Sequence, residues 1–578
     1  MPYSIGVDYG TESGRVLLLE LTTGREIAVS AVPYACGVIN KVLPDSGVEL
    51  ASDWALQDPR DYVRVLTEGI PMVMSDAQVE ADEVIGIGID FTSCTVMPVD
   101  QHGTPLCFFP EWRSHPHAWP KLWKHHAAKD QANRMTGLAL ARQEEFLPRY
   151  GGRISSEWYF PKLLQVLEED RDVYTACQAY TEAADWIVWY LTGNERRNNC
   201  TAGYKALWLD EIGLPARDFF TSLHPEFGDA REKLGTTFYP LGTKAGTLRP
   251  EIALQLGLPT RVAVSVGNID AHVSVPALAV TQPGSLVIVA GTSICHLTLT
   301  EEEILLPGIT GVVKDGIIPG FYGYEAGQAA VGDMYAWFVK QALSSDYHNL
   351  ALESRRNVYD YLEGLAASLA PGESGLLALD WWNGNRSILG DADLSGTIIG
   401  LTLSTRPEDI YRALLESTAM GTRRIVENFA QHGIEVNELV ICGGIAQRSP
   451  LLMQIYADVC ALPVVVRNSS EIPARGAALY GAVAAGSGMG GYDSIGEAGN
   501  ALAPEVLHTY LPQSGGKKVY EEIYQLYRTA YDYFGSEHAS LMHELKGLRT
   551  SVRSTARDSG AVIEQVQTIC PPKRLPVT

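Results

Sequence analysis

Along residues 6–21, GVDYGTESGRVLLLEL, apolar positions run up to a polar turn at 8–14 and resume after it, the pattern of strand, turn and strand. TTGREIAVSAVPY then places a turn at Thr23-Gly24 and predicts a third strand. Residues 59–76 carry apolar side chains at helical spacing, and VIGIGIDFTS (84–93) reads as a short, densely apolar strand. Residues 155–195 read as mostly helical. Proline and glycine punctuate 210–260, which places a domain boundary near 250.

The opening pattern returns downstream. GSLVIVAGTSICHLTLT (284–300) is again strand, Gly-Thr-Ser turn and strand, with Gly291-Thr292 matching Gly10-Thr11. A helix near 327–344, a long helix near 407–432 and the strand ELVICGG follow. A three-strand meander, a helix and a further strand is the order of a ribonuclease-H-like half. The repeat therefore predicts an α/β protein with two such domains facing each other across a cleft. The expected division is 1–250, 251–540 and a tail at 541–578.

Composition narrows the partners. The 578-residue chain exceeds what one hydrophobic core supports, so more than one domain is expected. A formal charge of −23 argues against nucleic acid or an anionic membrane as partner, since both need clustered positive charge. Nine scattered cysteines without a CxxC pair disfavour a zinc site or disulfide framework and fit a reducing cytoplasm. No signal-peptide pattern or membrane-length apolar run is seen in the sequence. The tail carries six Lys or Arg against three Asp or Glu on an otherwise acidic chain.

A turn so rich in glycine and hydroxyl groups suits a phosphate chain, because glycine lets the backbone approach and its amides cradle the anion. Two such hairpins could clamp a triphosphate. Asp8 ends the first strand, where it could hold Mg²⁺ through water; alone it would read as a turn-capping aspartate. In ELVICGGIAQRSPLL a strand ends at Gly443-Gly444 and Ser449-Pro450 opens a helix, a connection that admits a flat ring or ribose. Asp270 lies in an apolar surround within VAVSVGNIDAHVSV, where a carboxylate needs a task or a partner. The task would be to accept a proton from a hydroxyl during phosphoryl transfer; the structural alternative is a helix cap.

Together these elements resemble the FGGY carbohydrate kinases of the actin-like ATPase superfamily, over residues 1 to about 540. SSEWYFPKLLQVLEED (155–170) looks like that family's first conserved stretch. TAGYKALW (201–208), GNIDAHV (267–273) and GYEAGQAAVGDMYAWF (323–338) look like its ketopentose-phosphorylating branch. The resemblance implies phosphorylation of the 5-hydroxyl of L-ribulose by Mg·ATP, giving the L-ribulose 5-phosphate of L-arabinose catabolism, and a homodimer. It makes Asp270 the catalytic base, Lys205 and Glu325 sugar ligands, and Ser93, Cys94 and Thr95 the pocket wall. Asp8, Gly10, Thr11 and Arg15 fall to the first phosphate hairpin and Gly291, Thr292 and Ser293 to the second. Gly443, Gly444 and Gln447 would lie against adenosine. EWRSHPHAW (111–119) lacks an Asp that many relatives carry, so Trp112 and Arg113 are weaker sugar contacts, and His115 and His117 read as loop residues.

Three other readings stay open. The acceptor could be D-ribulose, xylulose or glycerol. The chain could be an actin- or chaperone-like ATPase switch, which needs no acidic proton acceptor beside a sugar pocket. A two-metal nuclease using Asp8 and Asp90 fits the fold but not the charge.

Overall fold

The computed structural model describes residues 1–558. Its first sheet begins with an antiparallel meander of β1 (Tyr3–Tyr9), β2 (Ser13–Glu20) and β3 (Glu26–Pro33). Next to β1, in parallel, runs β4 (Val84–Phe91), and next to β4 runs β5 (Ala263–Ser265), with Lys244–Thr247 at the edge. β1 and β4 are buried at every position because both faces of the sheet are covered, which explains their unbroken apolar runs.

The second sheet repeats this order. β6 (Ser285–Ala290), β7 (Ile294–Thr300) and β8 (Tyr322–Gln328) form the meander, and β9 (Glu438–Cys442) and β10 (Val464–Arg467) add in parallel beside β6. The strand order β3-β2-β1-β4-β5 thus recurs as β8-β7-β6-β9-β10. Two ribonuclease-H-like halves in one chain make the actin-like ATPase fold.

Five helices matter for the site: α1 (Tyr159–Glu169), α2 (Asn199–Lys205), α3 (Asp270–Ala277), α4 (Ile472–Ala485) and α5 (Ala539–Asp558). Although α4 follows the second sheet in sequence, it packs on the first. Its small residues allow this: a Cβ at Gly6 would collide with the Ala474 carbonyl, and one at Gly88 with the Ala477 carbonyl. Helices α3 and α4 share one apolar interior with both sheets, through Leu17, Val273, Val287, Val440 and Ala478.

Two expectations need correction, and a third is filled in. The boundary near 250 fails because Lys244–Thr247, β5 and Asn268–Ile269 all pair within the first sheet; the sheet change falls between α3 and β6. The helix near 327–344 begins only at Gly332, since 322–328 is strand β8. The tail proposed at 541–578 begins inside α5, which docks with Met542 buried and His543 Nε2 2.8 Å from Asp391 Oδ2. Residues 559–578 of that tail lie outside the described residues.

Candidate active site

A cleft of about 2020 Å³ opens between the two halves. Thr11, Ser93, Trp123 and Lys205 line it from the first half, and Gly291, Thr292, Ser293 and Glu325 from the second, with Asp270 between them.

Each hairpin is closed by a glycine amide, over four loop residues in the first and three in the second. Gly10 N–H donates to the Ser13 carbonyl and Gly291 N–H to the Ser293 carbonyl, each at 3.0 Å. The second turn is buttressed from behind, as Val331 N–H donates to the Thr292 carbonyl at 2.8 Å. Gly332 sits so close that a Cβ there would lie 2.6 Å from the Gly291 oxygen. On the first turn Thr11 Oγ1 accepts from the Trp123 indole N–H at 3.0 Å. The missing glycine side chains and the threonine hydroxyls at both turns give an anion close approach to the backbone.

Behind the first hairpin lies a set of carboxylates. Asp8 and Asp90 are cross-strand neighbours on β1 and β4. Asp90 is fully buried, and neither of its oxygens receives a hydrogen bond from a donor group. Burial, with Asp8 next in effect, pushes Asp90 well above the usual carboxylate range, and burial raises Asp8 too, against the pull of Arg15. Asp270, at the first position of α3, accepts from the Ala271 N–H at 2.7 Å. Burial, with the Asp8 charge next, pushes its pKa up to about 7.

On the other side of the cleft, Lys205 Nζ donates to both oxygens of Glu325, at 2.8 and 3.0 Å. Asn198 caps α2 by accepting from the Thr201 N–H, which sets the direction in which Lys205 leaves the last turn. His272 Nε2 lies 3.0 Å from Glu325 Oε2, and Thr310 Oγ1 donates to Glu325 Oε1 at 3.0 Å. Burial works to raise Glu325, but Lys205 and His272 outweigh it and hold the carboxyl well below its usual value. Burial likewise opposes the Lys205 charge, and Glu325 more than restores it. A buried ion pair with both members lining a cleft can bind hydroxyl groups as donor and acceptor at once.

Not every expected residue reaches the cleft. Thr92 and Ser93 do, but Cys94 and Thr95 are buried behind the wall. Thr95 Oγ1 instead bonds Thr92 Oγ1 at 2.8 Å. Arg15 stands outside the lining and bridges Asp8 (3.5 Å) and Glu471 (3.2 Å). Gly443, Gly444 and Gln447 also lie outside it; a Cβ at Gly443 would strike the Ala290 carbonyl at the end of β6, and Gln447 donates to the Ser469 carbonyl at 2.7 Å. Trp112 and Arg113 do not line the cleft. His115 and His117 each meet a carboxylate, Asp170 at 2.8 Å and Glu169 at 3.1 Å. No group of three or more metal-binding side chains occurs among the described residues. Trp123 and Arg386 line the cleft without a local sequence signal that singles them out.

An actin-like fold with two glycine-threonine hairpins and an acidic group in the cleft defines a nucleotide-dependent phosphotransferase class. Residues 3–275 match the N-terminal domain of the FGGY family of carbohydrate kinases, and residues 286–485 match its C-terminal domain. The chain belongs to this family. It is 52% identical over 549 residues to the ribulokinase of Halalkalibacterium halodurans, covering 95% of this chain and 98% of that protein. It is 50% identical over 553 residues to the ribulokinase of Geobacillus thermodenitrificans, covering 96% and 98%. In fold it is similar to the crystal structure of xylulose kinase from Rhodospirillum rubrum, with a TM-score of 0.75, 22% identity, and 94% and 100% of the two chains covered. The protein is a carbohydrate kinase that uses ATP as phosphoryl donor. Among the described residues no helix is long and apolar enough to cross a membrane.

Proposed function

We propose that the chain phosphorylates the 5-hydroxyl of L-ribulose with ATP, giving L-ribulose 5-phosphate for L-arabinose catabolism. What carries this reading is one juxtaposition: Asp270, the Lys205–Glu325 pair and both hairpins line the same cleft. The names of its relatives, at about half identity over nearly the whole chain, support ribulose as the acceptor.

In this reading Lys205 and Glu325 hold hydroxyl groups of the sugar, and Ser93 and Trp123 form the wall beside them. Thr11 on the first hairpin and Thr292 and Ser293 on the second hold the phosphate end of the nucleotide from opposite sides, with Gly10 and Gly291 letting it approach, and Gly443, Gly444 and Gln447 lie toward its adenosine end. The sugar's primary hydroxyl then faces Asp270, whose carboxylate orients it and takes its proton late in a loose transition state. Closing the halves excludes water, which competes as phosphoryl acceptor.

The carboxylates suit a Mg²⁺ ion. The unbonded oxygens of buried Asp90, beside Asp8, are an acceptor pair that a small hard cation would satisfy, with water completing its shell. When bound, the ion would neutralise charge on the phosphates.

The test is the position of the new phosphate. After incubation with Mg·ATP and L-ribulose, phosphorus–proton NMR is expected to couple the phosphorus to the C5 methylene of the product. Coupling to C1, or no sugar phosphate, contradicts the reading.

A further inference from the structure

Helix α1 presents one polar stripe toward the segments that build the sugar side of the cleft. Lys162, Gln165 and Glu169, at helical spacing, meet Cys94 and Leu122, His125, and His117 in turn. The first of these contacts is unusual. Lys162 is completely buried, and its Nζ donates to two backbone carbonyls, Cys94 at 2.7 Å and Leu122 at 2.9 Å.

Each carbonyl belongs to the residue next to a cleft-lining side chain. Ser93 precedes Cys94, and Trp123 follows Leu122. The turn at 92–95 is also tied at its ends, where Thr92 N–H donates to the Tyr9 carbonyl and Ala183 N–H to the Thr95 carbonyl, and at its middle by the Cys94 thiol to Glu182. Its middle residue Cys94 has φ of 57°, a left-handed backbone that a non-glycine side chain resists. Trp123 in turn donates to Thr11 on the first hairpin. One ammonium group therefore joins the Ser93 turn to the Trp123 segment, and through Trp123 to the phosphate end.

Burying an ammonium is costly unless it is paired; among the described residues Glu182 and Glu157 favour the Lys162 charge from a distance without forming an ion pair, and burial still lowers its pKa. The ammonium's burial is offset by these two carbonyl bonds, which an apolar side chain would give up. We infer that Lys162 is a positioning residue for acceptor recognition: by holding the Cys94 and Leu122 carbonyls it fixes Ser93 and Trp123 as the wall against which the sugar is seated. The inference rests on the sugar site proposed above.

The readout must be independent of how much enzyme folds. The ratio of kcat/KM for L-ribulose to kcat/KM for D-ribulose meets this need, because active fraction cancels. In Lys162→Met the ratio is expected to fall at least about fivefold and the KM for L-ribulose to rise about tenfold, since small misplacements of a positioned group are amplified in rate. The KM for ATP should stay within about twofold, as the hairpin backbone keeps its own bonds. A folded variant with a wild-type ratio and sugar KM overturns the inference. If Lys162→Met yields no folded protein, Lys162→Arg carries the test. Its larger guanidinium cannot place a donor nitrogen where Nζ sits in this completely buried position without moving one of the two segments, so the same fall is expected, and a wild-type ratio there overturns the inference equally. If the wild-type enzyme phosphorylates neither ribulose, it is the acceptor reading that fails, and the ratio is then taken between its two best acceptors.

Discussion

Glu325 is the point where three segments of the chain meet: Lys205 Nζ lies 2.8 Å from one carboxylate oxygen and His272 Nε2 3.0 Å from the other. Removing its charge leaves Lys205 a buried cation without its counterion. Glu325→Gln is therefore expected to destabilise the protein by roughly 3 kcal/mol. It should also raise the KM for the sugar by about tenfold or more, with the KM for ATP little changed. Denaturant unfolding and initial-rate kinetics on the same preparation check both halves. A lost fold stability with an unchanged sugar KM would make the pair purely structural.

The pH profile of kcat/KM should report Asp270. A base must be unprotonated to act, and burial, with the Asp8 charge, has raised this carboxyl to about 7. Below that value the protonated form dominates, so kcat/KM is expected to fall about tenfold per pH unit on the acid side and to level off above it. A profile flat through neutrality, down to the ordinary carboxylate range, would contradict the environment described for Asp270.

Asp90 should trade stability for function. Its folded pKa is raised, so the native state binds more protons than the unfolded state at neutral pH, and stability declines as pH rises above the unfolded carboxylate value. Asp90→Asn removes that penalty. In buffer free of divalent cations its Tm is expected to exceed the wild-type value by about 2 °C or more. Its Mg²⁺ requirement, titrated at fixed ATP, is expected to rise by about tenfold. An unchanged Mg²⁺ dependence would remove Asp90 from the cation site.

Much of this was legible in the chain. The hairpins were visible because strands such as β1 and β6 are covered on both faces, so their apolar runs end abruptly at a glycine-threonine turn. Asp270 stood out as a carboxylate in an apolar stretch. The contact between Lys205 and Glu325, 120 residues apart, carried no local signal, and only the family resemblance brought the two together. The boundary near 250 misled because β5 has three residues and the proline-punctuated stretch before it packs short helices onto the first half, with Phe219, Phe220 and Ile252 buried. Cys94 and Thr95 failed for a geometric reason: at Cys94 the backbone turns, with φ of 57°, and carries the residues after Ser93 away from the cleft. Lys162 looked like part of a conserved-looking helix, and its two carbonyl partners lie 68 and 40 residues away.

The most direct measurement is ADP release from Mg·ATP with L-ribulose, D-ribulose, D-xylulose and glycerol in parallel, for the wild type and for Asp270→Asn. L-ribulose is expected to give the highest turnover, and the variant to lose at least about 10² of it while still binding ATP. Near-wild-type turnover in Asp270→Asn would contradict the base assignment, and turnover that no sugar raises above the basal rate would contradict the kinase mechanism itself.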